Sequence, residues 1–490
     1  MGPDAFPSGA MTIERITGAG VAALLLMLAA YGVLSAPGLA AHWHAGVSVD
    51  LAGMALFAAW LAFAGWAVTR LPRTTDPRAW GVFAAGATAL RIAAAVLSDG
   101  RVSPGDPHWY LVLAQGLLDG QGLGLVEPYM GTRAVALFPP LYPLLLAGWG
   151  AVFGLSTAAL LILSSLLDLA SAGVIVLLAR RLGAARAGVA AACLFLVWPS
   201  QLLDAPLAQK ESLATLLVLL LAYGWTVTTG RVREVVLIGA GSAALALTQP
   251  GEALLSPLFA LLQWRRLGAP RLVRIGAAAG GVAILAMLPW WWRNDALLHA
   301  FVPLTSAGGY SLWIGNNPAA TGSWMPPPRA LHGLPELAFS HAAGGLAIDW
   351  IAAHPLEAVR LTLAKFVRAA AIGQAGLTRL AAMRPGLAPQ TGALLLPVLH
   401  GSYVLLLALA GAATMRLRGC GVSGRAAVGL VAMCFVQLLL LGAPFEFGER
   451  HRAFVAPLLL LAVALARERG GVRVSMRRAM PLRGGARATI

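Results

Sequence analysis

Charge is what this sequence has least of. Asp, Glu, Lys and Arg make up 11% of its 490 residues, against roughly a quarter in an ordinary soluble domain. With 59% hydrophobic residues and a mean hydropathy of +0.76, that shortage excludes a water-soluble globule. Lysine is almost missing: Lys210 and Lys365 stand alone among 36 basic residues, and the others are all arginine. Cysteine is scarce too, and Cys193, Cys420 and Cys434 have the spacing of neither a disulfide framework nor a zinc site. No low-complexity linker separates the apolar runs, and no polar stretch is built like a separate soluble domain. What remains is an all-α polytopic membrane protein.

The formal net charge of +16 would suit a nucleic-acid partner, but the placement of the arginines argues against one. They gather in short loops between apolar runs: Arg70, Arg73 and Arg78; Arg180, Arg181 and Arg186; Arg231 and Arg233; Arg265, Arg266, Arg271 and Arg274; Arg416, Arg418 and Arg425; and the tail after Ala466. This is the positive-inside pattern of a membrane protein. Hydropathy gives about twelve spans, at 17–36, 51–69, 79–97, 157–179, 186–203, 211–228, 234–249, 251–263, 272–291, 393–415, 425–443 and 453–466. With the basic loops in the cytoplasm, the number of spans between any two of them is even, provided that Pro139–Gly154 does not cross. At 16 residues it is shorter than the roughly 20 that a helix needs. Both termini are then cytoplasmic. The first apolar run reads as a retained span rather than a cleaved signal. The basic tail Arg467–Ile490 reads as disordered and as an orientation determinant.

The opposite, outer face receives two long insertions, 98–156 and 292–392, and two small loops near Asp204–Glu211 and Pro444–Arg452. Within the second insertion, Ala343–Ile372 has helical periodicity with Arg360, Lys365 and Arg368 on its polar side. Amphipathic helices lying at the interface are expected there.

Ionisable residues beside apolar spans are costly, so each is a candidate for function. The outer-face set contains Asp106, His108, Arg133, Lys210, Glu211, Arg293, Glu446, Glu449, Arg450 and Arg452, with Tyr110 and Tyr142 in the first insertion. An acid among fixed cations suits the reaction of a phosphate ester: the cations hold the phosphate, and the carboxylate accepts a proton from an attacking hydroxyl. Each residue also has a plainer role. Asp106 before Pro107 has the form of a helix cap. Lys210-Glu211 has the form of a charge pair at a helix start. Arg293 and Arg452 end spans, where snorkelling anchors are common. Asp168, Arg91 and Glu252 fall within spans, where buried structural ion pairs are the default.

Four stretches carry a family resemblance over about residues 79–467. Asp106, Tyr110, Ala114, Gly120-Gln121-Gly122 and Pro139-Pro140-Leu141-Tyr142-Pro143 resemble the first outer loop of GT-C glycosyltransferases of the protein O-mannosyltransferase-like class, which includes the aminoarabinose transferases acting on lipid A. Pro289-Trp290-Trp291-Trp292-Arg293-Asn294 is similar to their PW-x-x-RN element. Gly315-Asn316-Asn317-Pro318-Ala319-Ala320-Thr321-Gly322 resembles the turn that follows it, and Arg450-His451-Arg452…Pro457 resembles an element opening the last span. Residues 1–78, two extra spans, fall outside the match. The chain also departs from the pattern at Gln249-Pro250, at Phe454, and in having no second acid beside Asp106.

The resemblance implies a GT-C-like core at 79–467, two added helices at 1–78 and a basic tail at 468–490. It implies transfer of a sugar from a polyprenyl-phosphate donor to a hydroxyl on a lipid, glycan or protein acceptor, with inversion and with Asp106 as general base. Lys210, Arg293, Arg450 and Arg452 are the expected phosphate ligands. His108, Tyr110, Arg133, Tyr142, Glu211, Asn316 and Asn317 are the expected cavity lining. No cofactor is assigned: a divalent metal belongs to the same chemistry, but a paired-acid motif to hold it is missing. The expected location is a bacterial inner membrane, with membrane lipids around the spans and the site facing the periplasm or exterior. A polytopic transporter or lipid flippase without transferase activity is the alternative, and it calls for a mid-membrane site between repeats.

Overall fold

Val455 to Ala466 is buried almost all the way round by the helices packed against it. A helix that is apolar on every face belongs inside a bundle. In the structure, a computed structural model that describes residues 8–418 and 421–479, this helix runs Val455–Ala479. It packs on helices Ser402–Leu417, Ala185–Leu196 and Gly421–Gln437. The tail after Arg467 was expected to be disordered, but it continues this helix as far as Ala479. The rest of the tail, 480–490, and Cys420 lie outside the described residues.

Every stretch expected to span contains helix. Among the described residues, seven helices are long and apolar enough to cross a membrane: Gly18–Trp43, Val47–Arg73, Pro77–Ser98, Thr157–Arg181, Ala269–Leu298, Pro385–Leu417 and Gly421–Gly442. Ala185–Leu196 and Glu211–Val227 are shorter apolar helices. The expected span 186–203 is interrupted at Trp198, because Pro199 opens a separate short helix, Pro199–Asp204. The pair around Gln249-Pro250-Gly251 becomes Val232–Ala246, a tight turn Pro250–Glu252, and Leu255–Leu261. Outward rows of large apolar side chains, such as Ile162, Leu166 and Leu169 or Ile284, Leu285 and Leu288, are exposed. Contiguous apolar surface on this scale belongs against lipid. The chain is an all-α polytopic membrane protein.

The basic loops meet at one end of the bundle. Arg266 donates to the carbonyls of Trp225 (2.8 Å) and Thr228 (2.7 Å), and Arg469 donates to that of Leu182 (3.2 Å). Glu468 accepts from the Ala187 amide at 2.7 Å. The long insertions meet at the other end. Gly100 faces Thr157, so the chain between them leaves and returns at one level. Within it, helices Asp106–Leu118 and Leu141–Phe153 pack on each other. The second has 13 residues, about 20 Å of helix, which is short of a hydrocarbon core of about 30 Å.

Glu336 locks the two insertions together. Its carboxylate accepts from the amides of Val135 (2.7 Å) and Ala136 (2.9 Å) and from the Ser306 hydroxyl (2.5 Å). The expected amphipathic segment is two helices, Glu336–Ala353 and Pro355–Ala371, divided where Pro355 ends the first. Leu356, Val359 and Leu363 form an outward apolar stripe, and Arg360 and Arg368 are exposed. Lys365 is the exception. Instead of lying on the polar side it is fully buried, with its ammonium donating to the carbonyls of Gly315 (2.6 Å) and Phe445 (3.2 Å). Burial and then Arg368 bring its pKa down to about 8. The two N-terminal helices are built into the bundle. Gly53 lies so close to the Ala393 carbonyl that a Cβ there would clash with its oxygen.

This arrangement places Asp119 and Val232, both exposed, at opposite ends. In a background without native cysteines, Asp119→Cys and Val232→Cys should label with a membrane-impermeant thiol reagent from opposite sides of sealed vesicles. Labelling of both from one side would place the short helix Leu141–Phe153 across the membrane.

Candidate functional site

Helix Asp106–Leu118 begins after Gly105, whose φ of 82° is a turn that favours glycine. No side chain caps this helix. Asp106 is its first residue rather than its cap, and its carboxylate turns away from the backbone. Oδ2 accepts from Arg450 Nη1 at 2.7 Å, while Glu446 Oε1 stands 3.5 Å from Arg450 Nη2. The three side chains retain 21% of their accessible surface, so the pair is not in the sealed core, and Arg450 lines a cleft with Trp198, Ser200 and Tyr403. Arg450 sits in the tight turn Glu449–Arg452, which follows a π-helical turn, Leu438–Gly442.

The start of helix Glu211–Val227 supplies the second half. Lys210 Nζ stands 5.7 Å from the centre of the Tyr110 ring, and Tyr110 meets Tyr142 edge-on at 5.1 Å. The Tyr110 hydroxyl, Glu211 Oε2 and Glu252 Oε2 are buried with no hydrogen-bond partner. Buried polar atoms are seldom left so, and a group of them facing one cluster is the mark of a place built for a polar ligand. Glu252, within an expected span and so a structural acid by default, instead faces the charges of Lys210 and Glu211. Its sequence signal was an acid placed directly after the helix-breaking Pro250-Gly251.

The cluster is electrostatically divided. Burial alone would raise the Asp106 carboxyl, but the positive charges of Arg450 and Lys210 outweigh it and hold the pKa below the usual carboxylate value. Glu446 goes the other way, raised because burial exceeds the help from Arg450. Burial, reinforced by Asp106 and Glu211, pushes the Tyr110 phenol well up. His451 is lowered to about 3 by burial and by Arg450 and Lys210, so it is neutral at working pH. Asp106 is therefore the ionised acid of the cleft, beside the cations Arg450 and Lys210.

Other expected site residues are placed elsewhere. Arg293 donates to the carbonyls of Leu123 (2.5 Å) and Val135 (2.9 Å) and stacks on Trp290. The Trp290 and Trp291 indoles bind Leu304 and Pro303 carbonyls, and the Asn294 amide binds that of Val302. The whole Pro289–Asn294 element thus clips both insertions to one helix end. Arg452 is buried, donates to the carbonyls of Ala369 and Ile372, and lies 3.4 Å from the Tyr403 ring centre. Arg133 closes its own loop on the carbonyls of Gln121 and Gly124. Asn316 and Asn317 are buried and form their turn, bonding Pro444 (2.6 Å) and Trp313 (2.8 Å) carbonyls respectively. His108 is exposed and lines an open groove with Val102, Leu111 and Gln115. Among the described residues, no three His, Cys, Asp or Glu side chains gather as metal ligands.

No protein-family model matches the sequence, and no curated protein matches it. Its structure is similar to the archaeal oligosaccharyltransferase AglB from Archaeoglobus fulgidus, solved with an inhibitory peptide and a dolichol-phosphate. The TM-score is 0.46 at 15% identity, over 82% of this chain and 52% of the other. The chain thus spans about half the length of that protein. It is also similar to ArnT from Cupriavidus metallidurans bound to undecaprenyl phosphate, with a TM-score of 0.40 at 14% identity, over 84% and 83% of the two chains. Scores and identities this low assign neither family nor activity.

The opposite shifts of Asp106 and Glu446 give opposite pH signatures. A lowered folded pKa contributes stability above the ordinary carboxylate value and loses it as pH falls through the folded one; a raised pKa does the reverse. Asp106→Asn leaves Arg450 without its closest partner and should cost about 1–3 kcal/mol, alike at pH 5 and pH 8. Glu446→Gln should gain on wild type as pH rises from 5 to 8. Melting temperatures in detergent at the two pH values check both; equal pH dependence of the two variants would refute the assignment.

Proposed function

We propose that this protein is a membrane glycosyltransferase that moves a sugar from a polyprenyl-phosphate donor to an acceptor hydroxyl, with inversion at the anomeric carbon. The observation that carries the reading is the ionised Asp106 held beside Arg450 and Lys210 in a cleft at the loop end of a lipid-embedded bundle. The cations are placed for a phosphate, and Arg450 offers a planar fork that matches its oxygens. Arg293 and Arg452 have their guanidinium groups committed to backbone carbonyls, so the phosphate role rests on Lys210 and Arg450. The tyrosine pair and the unpartnered oxygens of Glu211 and Glu252 are left for the sugar hydroxyls, which can donate to them. The positive-inside distribution supports a basic end in the cytoplasm, and on this reading the cleft faces the periplasm or exterior, as in a bacterial inner membrane.

In the proposed step the acceptor oxygen attacks the anomeric carbon and the bond from that carbon to the phosphate oxygen breaks. The electron pair stays on the phosphate, where Lys210 and Arg450 stabilise the added charge. The hydroxyl proton passes to Asp106. Any carboxylate is a weak base toward an alcohol, so Asp106 takes the proton late, when bond formation has already made the hydroxyl acidic. The products are the glycosylated acceptor and free polyprenyl phosphate.

Incubating the purified protein with labelled polyprenyl-phosphate sugars and a hydroxyl acceptor should release polyprenyl phosphate. Asp106→Asn should slow release by about 10²–10⁴-fold while donor binding persists, whereas Lys210→Met should weaken donor binding. Movement of the labelled lipid across proteoliposomes without cleavage would instead indicate a flippase, and normal turnover by Asp106→Asn would transfer the base role to Glu211.

A further inference from the structure

Just inside the loop end, four segments direct buried polar groups at a single point. Arg91, on helix Pro77–Ser98, pairs with Asp168, on helix Thr157–Arg181, at 2.8 Å. Asp168 is fully buried. Its other oxygen accepts from Gln201 Nε2 at 2.7 Å, and the same nitrogen lies 2.8 Å from Ser212 Oγ. Ser164, one turn before Asp168, bonds the Ala205 carbonyl at 2.5 Å. The chain of contacts thus ends in the first turn of helix Glu211–Val227, one residue after Glu211 and two after Lys210.

An ion pair in apolar surroundings is weak evidence for stability, since packed apolar side chains of similar volume often do as well or better. What such a network does supply is a defined register between helices. Register matters here because the Lys210 ammonium, among the described residues, makes no hydrogen bond or ion pair and meets only the Tyr110 ring, and Glu211 Oε2 is unpartnered. Their positions depend on how their helix is seated. We propose that Arg91, Asp168, Gln201 and Ser212 are positioning residues that fix the register of helix Glu211–Val227, and so hold Lys210 and Glu211 against Asp106 and Arg450. The consequence for turnover rests on the transferase reading; the placement of Lys210 does not.

The scarcity of lysine makes the placement directly observable. Reductive methylation with ¹³C-formaldehyde labels at most Lys210, Lys365 and the N-terminal amine, and Lys365 is fully buried. The test replaces the ion pair by apolar residues, Arg91→Met with Asp168→Leu, in the full-length protein. The melting temperature should stay within a few degrees of wild type or rise. The Lys210 dimethylamino resonance should shift or broaden, and turnover should fall at least tenfold through kcat. A stable double variant with the wild-type Lys210 signal would overturn the inference. Should that variant fail to fold, Ser212→Ala and Ser212→Thr decide: both leave the ion pair in place, but only the first removes the hydroxyl. A moved Lys210 signal in the alanine variant, restored by threonine, supports the inference; two wild-type signals overturn it. If wild type itself cleaves no polyprenyl-phosphate sugar, the transferase reading fails while the resonance still decides the positioning role.

Discussion

Arg450 and Asp106 are 344 positions apart, and their pairing is the contact on which the architecture of the loop end depends. An unpaired guanidinium at the edge of a hydrocarbon layer is expensive, so the segment carrying Arg450 must be delivered to Asp106 and kept there. The delivery is done by backbone. Glu446 N bonds the Ser311 carbonyl at 2.9 Å and Phe447 N that of Gly322 at 3.0 Å. Asn316 reaches Pro444 and Lys365 reaches Phe445. Gly315 lies so near Phe445 that a Cβ would come within 2.6 Å of its carbonyl carbon. The asparagine-rich turn and the buried lysine therefore serve the site from a distance: they contact the strap that holds Arg450, not the cleft.

The preference for arginine over lysine follows from the same constraint. Loops and turns near lipid cannot rely on water to satisfy their carbonyls. A guanidinium, with five donors in a fixed fork, satisfies two or three carbonyls at once. Arg293, Arg452, Arg133 and Arg266 all do this. Lysine survives at two places only. One ammonium is buried against two carbonyls, and the other stands over Tyr110 in the cleft.

That division explains what could be read from the sequence. The spans and the even spacing of basic loops were legible because hydropathy and arginine position are local properties. Asp106, Lys210, Glu211, Tyr110, Tyr142 and Arg450 were legible as ionisable or aromatic residues flanking apolar runs, and the structure gathers all six. The direction of an arginine side chain is not local. Arg293 and Arg452 carry the same surface signal as Arg450, and only the positions of Leu123, Val135, Ala369 and Ile372, far away in the chain, show that their donors are occupied. Asp106 before Pro107 reads as a cap for the same reason: the partner that draws its carboxylate away comes more than three hundred residues later. Lys365 misled by periodicity, since the carbonyls that hold it inward belong to other loops.

On the proposed reaction, the charge balance of the cleft would link donor entry to the basicity of Asp106. Four carboxyl groups, Asp106, Glu211, Glu252 and Glu446, lie around the cations Lys210 and Arg450, with Arg379 also near Glu211. On the proposed reaction, a phosphate adds further negative charge to this set, and it does so by competing for Arg450. Two consequences follow from electrostatics alone. The Glu446 carboxyl, outside the spans and already raised in proton affinity, becomes still easier to protonate. Asp106 meanwhile loses part of the guanidinium field that kept its pKa low, so its basicity rises when donor is bound. A base that is quenched by its own ion pair in the empty cleft and released by the substrate's phosphate would not deprotonate an acceptor hydroxyl before there is a sugar for it to attack.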